Sequence, residues 1–154
     1  MKIFLALLAL CFASFSQTRA LAFGAENESS GNIMSVSRDE HSLLGNPSGL
    51  AFTDTAPCVS LSSLQLIPLR EFSRHHLSIS MAMKKARMGL SLHRYGTVLY
   101  HEHRACVGFA HRIRSISLGV AAGMYQCYAE GQVNKTVLLI DLGGTVMLSP
   151  SLGV

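Results

Sequence analysis

From residue 76 to residue 93, apolar residues alternate one for one with small or polar ones, and midway the phase reverses. Leu77, Ile79, Met81 and Met83 alternate with His76, Ser78, Ser80 and Ala82; Met88, Leu90 and Leu92 then alternate with Arg87, Gly89, Ser91 and His93. A period of two is that of a strand whose faces meet different surroundings. A two-residue turn at Lys84-Lys85 sets Met83 against Ala86, Met81 against Met88, Ile79 against Leu90 and Leu77 against Leu92. The other face then matches Ser80 with Gly89, Ser78 with Ser91 and His76 with His93. A slip of one residue would mismatch both faces. The pattern therefore predicts a β-hairpin in this register, although Lys-Lys lacks the glycine usual in such turns.

A second hairpin follows the same rule. With its turn at Ile113-Arg114, Phe109 meets Leu118, Val107 meets Val120 and Ala105 meets Ala122. Cys106 then faces Ala121, Gly108 faces Gly119, and Cys127 lies opposite Tyr100. Six residues would separate Cys127 from Cys106, roughly 20 Å at the rise of a strand, too far for a disulfide. Alternation also marks Cys58 to Leu66 and Thr136 to Leu148. The expected strands are 58–67, 72–83, 86–94, 97–111, 115–128 and 136–148, with one turn at Tyr95-Gly96. Residues 23–57 are expected to be a periplasmic N-terminal segment, polar over 23–45, with a short strand near Ile33 to Val36 and a dense turn signal at Gly45-Asn46-Pro47-Ser48-Gly49. The reading is an all-β antiparallel meander, either a barrel or an incomplete half-barrel.

Composition sharpens this picture. Hydrophobic residues make up 49% of the 154 and charged ones 14%, yet no stretch after the first 22 residues approaches the roughly 18 apolar residues of a membrane-crossing helix. Many of the expected strands reach the ~9–11 residues that cross a bilayer at a tilt, longer than the ~5–6 usual in soluble proteins. Residues 1–22 read as a cleaved signal peptide: Lys2, an apolar core from Ile3 to Phe15, and an A-x-A site at Ala20-Leu21-Ala22. Three of the four cysteines remain after cleavage, an odd number that excludes a fully paired framework. The net charge of +4 is scattered and implies no nucleic-acid partner.

Asn46-Pro47-Ser48-Gly49-Leu50-Ala51-Phe52 resembles the Asn-Pro-Ala-Gly-Leu-Ala segment that precedes the barrel in bacterial outer-membrane proteins around the FadL-like fatty-acid transporters and the PorV-like barrels of Bacteroidetes-type bacteria. Met88-Gly89-Leu90-Ser91-Leu92 with Tyr95-Gly96, Leu99-Tyr100 and Glu102 is similar to a hairpin of that group. So are Gly108-Phe109-Ala110 with its basic turn, and Ser117 to Tyr128 ending in Ala129-Glu130-Gly131. The likeness runs from Gly45 to the C-terminus, and its specificity lies in the order and spacing of the motifs. It implies an outer-membrane β-barrel over residues 58–154, acting in passage of hydrophobic small molecules or as a membrane component of a secretion system. Members of the group are about twice as long, so the chain is expected to be truncated: either half of a barrel completed by another copy or a second half-barrel chain, or a truncated product that does not assemble.

On this reading Leu77, Ile79, Met81, Met88, Leu90, Leu92, Val107, Phe109, Leu118 and Val120 face outer-membrane lipid. Arg87, Glu102, Arg104 and Asp141 line the lumen, with Arg87 opposite Arg104 and Asp141 isolated. Arginine at Ile79 or Leu90 should then cost more than at Ser78 or Ser91. His101 and His103 share the lipid parity and are expected at the rim; Tyr95, Tyr100, Tyr125 and Tyr128 suit an interfacial girdle. His76 facing His93 gives two imidazoles without a carboxylate or thiolate, an incomplete metal shell. Ser60, Ser62 and Ser63 lack a nucleophile elbow, and Gly143-Gly144 is too sparse for a phosphate loop. No catalytic group, cofactor or metal is expected. The alternative is a soluble periplasmic or surface β-sheet protein with a binding or structural role.

Overall fold

The computed structural model describes residues 37–53, 56–65, 68–69, 72–84, 86–132, 134–149 and 152–153. The expected signal sequence, its expected cleavage site and the expected short strand near Ile33 to Val36 lie outside the described residues. Six long strands run as an antiparallel meander: β1 (Cys58–Gln65), β2 (Ser73–Met83), β3 (Ala86–Gly96), β4 (Tyr100–Ile113), β5 (Ile116–Ala129) and β6 (Lys135–Ser149). A short seventh, β7 (Leu152–Gly153), pairs with the end of β6. Each strand bonds to its neighbour in sequence, and the sheet does not close. The chain is all-β, as the alternation required.

The β2–β3 hairpin has the expected register, Ile79 opposite Leu90 and His76 opposite His93. Its turn is made possible by Lys84, which adopts φ +52 without being glycine. The β4–β5 hairpin differs: Phe109 lies opposite Val120, Cys106 opposite Gly123, and Cys127 opposite Glu102. Its turn is Arg114-Ser115, with Arg114 at φ +56. Moving the turn by one residue shifts every pair by two, and a shift of two leaves each side chain on its own face. Facial alternation cannot sense that difference. Cys106 and Cys127 stay four pairs apart, and Cys58, Cys106 and Cys127 are all free thiols.

The β3–β4 connection also differs. Gly96, at φ +95, belongs to β3, and the chain reverses through Val98-Leu99, with the Thr97 N–H donating to the Tyr100 carbonyl at 2.7 Å. Arg87 therefore faces Ala110, and Arg104 faces His93. The expected Arg87–Arg104 pair does not form.

The registers stack into transverse rows. On one face run Leu61, Leu77, Leu92, Ala105, Met124 and Leu138, then Val59, Ile79, Leu90, Val107, Ala122 and Ile140, then Met81, Met88, Phe109, Val120 and Leu142. We call this the outer face. Its apolar rows end at a polar one: Ser63, His75, Arg94, His103, Gln126 and Thr136. The inner face carries Ser78, Ser80, Gly89, Ser91, Cys106, Gly108, Ala110, Gly119 and Ala121, nearly all small. Against those small residues lies the chain ahead of β1. The 3-10 segments Ser42–Leu44 and Pro47–Phe52 pack on β3 to β6, and Leu43, Leu50, Ser42 and Ser48 are fully buried there. What the sequence presents as an N-terminal segment ahead of the strands is, over residues 41–53, a plug that forms the core with the inner face.

Candidate functional site

The plug explains why the inner face is built of such small residues. A Cβ at Gly119 would stand 2.4 Å from the Pro47 carbonyl carbon and the Ser48 nitrogen, and one at Gly108 would stand 2.4 Å from Leu43 Cδ1. Real Cβ atoms do not approach that closely, and at Gly119 the obstacle is backbone that cannot rotate away. These strand glycines have no turn role; they admit another piece of chain at contact distance.

Hydrogen bonds fix the plug in register. The Asn46 side-chain carbonyl caps its own 3-10 segment by accepting from the Ser48 N–H at 3.2 Å and the Ser48 hydroxyl at 2.6 Å. Asn46 Nδ2 donates to Thr145 Oγ1 at 3.3 Å, and the Ser48 and Thr145 hydroxyls are 2.7 Å apart. Because Ser48 gives its proton to Asn46, Thr145 must give its own to Ser48. The three side chains thus close a ring in which each donates and accepts. Ser117 Oγ donates to the Ser48 carbonyl at 2.8 Å. Arg87, buried on β3, donates to the Thr53 carbonyl at 3.2 Å, and to the Ala56 carbonyl and Ser80 Oγ at 3.1 Å each. From the inner face it fastens the chain leaving the plug.

Above the plug is a histidine layer. His41 Nδ1 and His76 Nδ1 are 3.0 Å apart, one ring donating and the other accepting, and His76 Nε2 meets Ser91 Oγ at 2.7 Å. His76 does face His93, but its Nδ1 is committed to His41. Among the described residues no group of three His, Cys, Asp or Glu is placed to hold a metal ion. Ser91 is fully buried and engaged here, as Ser78 is buried on β2. Arginine at either serine would have to displace the packed inner face, so the expectation that it costs less there than at Ile79 or Leu90 does not follow from the burial of these positions.

Arg104 and Asp141 share the inner face and form an ion pair, Nη2 to Oδ2 at 2.9 Å. Asp141 is therefore not isolated. The pair bridges β4 to β6 across β5, a diagonal reach that neither strand's own pattern reveals. Asp141→Asn should destabilise the fold by about 1–2 kcal/mol. A fully buried partner loss would cost about 3–5 kcal/mol, but Asp141 is 40% exposed and partly screened. Chemical denaturation checks this, and Asp141→Glu should recover most of the loss.

At the open end of the inner face Glu102 accepts from the Tyr100 hydroxyl, and Cys127 Sγ lies 3.7 Å from the same oxygen. Tyr95 and Tyr100 meet edge to face, centroids 6.4 Å apart. By register Tyr95, Tyr100 and Tyr125 are on the inner face and only Tyr128 is on the outer one, stacked at 4.7 Å on His101. The expected girdle of four tyrosines is reduced to one, because strand parity turns the other three inward. His101 and His103 do sit on the outer face at the end of the apolar rows.

All ten residues expected to face lipid lie on the outer face, and Arg87, Glu102, Arg104 and Asp141 lie opposite. The outer apolar side chains are laid bare: Leu138 is 82% exposed, Ile140 77% and Leu142 81%. The plug was missed by sequence reading because its signal is local turn chemistry, which does not say against what the turn packs. Among the described residues no helix is long and apolar enough to cross a membrane. No family model, curated protein or solved structure matches the chain.

Proposed function

We propose that this chain is a membrane-embedded part of a bacterial outer-membrane β-barrel, its outer face against lipid and its lumen filled by residues 41–53. The observation that carries the reading is the outer face itself. Apolar rows continue across all six long strands and stop at one polar row. From Leu138 to Val146 the belt on β6 runs nine residues, about 26 Å along the strand. At a tilt near 40° that is about 20 Å of height, close to the roughly 25 Å apolar band of such barrels. A soluble monomer rarely exposes an apolar patch beyond a few hundred Å², and a soluble sheet would bury this face and wet the other.

A filled lumen favours the role of a membrane component, such as the anchor of a secretion assembly, over that of a conduit for hydrophobic molecules. The inner face offers Ser, Gly, Ala and a tethered plug where a conduit needs an apolar passage. Export through the inner membrane by a cleaved signal sequence near Ala22 completes the proposal.

Among the described residues two strand edges are unpaired, and in hydrocarbon each unsatisfied N–H or C=O costs several kcal/mol. The barrel is therefore completed by a second copy or another polypeptide; two copies would supply twelve long strands, an even number as bacterial barrels have. Refolding into detergent, followed by semi-native gels and native mass spectrometry, should give a heat-modifiable, protease-resistant species of more than one chain. A heat-modifiable monomer would remove the need for a partner. A folded monomer in plain buffer would instead support the soluble alternative.

A further inference from the structure

On the outer face, directly below the polar row, lies a groove of about 330 Å³ lined by Leu61, Leu77, Leu92, Ala105 and Met124, with His75, Arg94 and His103 at its upper edge. The groove exists because of one small residue. Ala105 sits between Leu92 on β3 and Met124 on β5 in the same transverse row, so the surface dips where its neighbours rise. The edge exists because of the register: His75, Arg94 and His103 are successive cross-strand partners on β2, β3 and β4.

Arg94 and His75 are exposed, and no described carboxylate lies within ion-pair distance of Arg94. Among the described residues the polar row carries no acid at all, and Glu102, the nearest in sequence, is on the inner face. His75 meets Ser63 Oγ through Nδ1 at 3.1 Å, which leaves its Nε2 for another partner. A guanidinium flanked by two imidazoles above an apolar trough is complementary to an anion joined to a hydrocarbon chain. Guanidinium matches phosphate through paired N–H donors.

We propose that Arg94, with His75 and His103, holds the phosphate of an anionic membrane lipid whose acyl chain lies in the groove over Ala105. This deepens the membrane reading and rests on it. The site lies at the end of the sheet where β1, β3 and β5 finish, so the lipid belongs to the leaflet on that side.

The test is reconstitution into vesicles of phosphatidylglycerol or phosphatidylcholine, with lipid retention read by native mass spectrometry after gentle detergent extraction. The wild type should retain phosphatidylglycerol preferentially. Arg94→Gln should reduce that preference roughly five-fold, the usual weight of one basic side chain at an anionic surface. Ala105→Phe fills the trough and should weaken retention of both lipids without changing the preference. Both sites are on the outer surface, and heat-modifiability confirms that each variant is assembled. Equal retention of the two lipids by an inserted wild type, unchanged in Arg94→Gln, would overturn the site while leaving the membrane reading intact. Displacement by glycerol 3-phosphate with no effect of Ala105→Phe would also overturn it, in favour of a free phosphate ligand. Failure to insert into either vesicle would overturn the membrane reading and the site with it.

Discussion

Gly119→Val should drive residues 41–53 off the inner face while leaving the strands in place. Valine suits a strand better than glycine does, so the substitution favours β5 itself, and any loss comes from the contact across the face. The first added carbon would lie 2.4 Å from the backbone of Pro47 and Ser48, and valine adds two methyls beyond it. The plug cannot yield by rotating a side chain; it has to leave. Leu43 and Leu50 then lose complete burial, each worth about 1.5–3 kcal/mol. The bond from Ser117 and the Asn46–Ser48–Thr145 ring are lost with them. The sum is on the order of 4 kcal/mol or more, even after allowing for some burial in the unfolded chain. Limited proteolysis and hydrogen exchange over 37–53 read the effect directly. Gly144→Ala is the matched control, because a Cβ there meets nothing closer than 3.7 Å. Unchanged protection of the plug in Gly119→Val would show that the plug is not seated as described.

Arginine placed in turn at Thr136, Leu138, Ile140 and Leu142 should give a cost that depends on depth. All four positions are exposed on β6. In water, surface substitutions at such exposure stay within about 0.5 kcal/mol. Against lipid, arginine costs roughly 2–4 kcal/mol at the bilayer midplane and about 0–1 near the interface. The expected profile is small at Thr136 in the polar row and largest at Ile140 or Leu142. Stability in detergent or vesicles by denaturant titration measures it. Four equally mild substitutions would mean that the outer face is not against hydrocarbon. The inner-face serines cannot serve as the tolerant comparison, since Ser78 and Ser91 are buried under the plug and the histidine layer. Positions along one strand and one face make the cleaner series.

The sequence by itself determined the strands, their order of alternation and the two faces. Period two is a local property, and each residue from Leu77 to Leu92 states which side it belongs on. The β2–β3 register followed as well, because a turn of two residues left one matching of the faces. What lay beyond it was decided by backbone and by contacts distant in sequence. The β4–β5 register is shifted by two because Arg114 takes a left-handed conformation that no glycine announces. Gly96 marks a positive φ beside the β3–β4 turn, and the turn itself is Val98-Leu99. A shift of an even number of residues leaves every side chain on its face, so hydrophobic pattern is silent about it. The Arg104–Asp141 pair reaches diagonally across β5, between strands that no hairpin joins, and was out of reach for that reason. The plug was hidden more deeply still. Asn46-Pro47-Ser48-Gly49 spells a turn in any context, and the small residues of β3 to β6 spell only a face without bulk. Each half is legible alone; their fit exists only when the sheet brings Gly119 beneath Pro47, because complementarity between distant segments is a property of the folded surface.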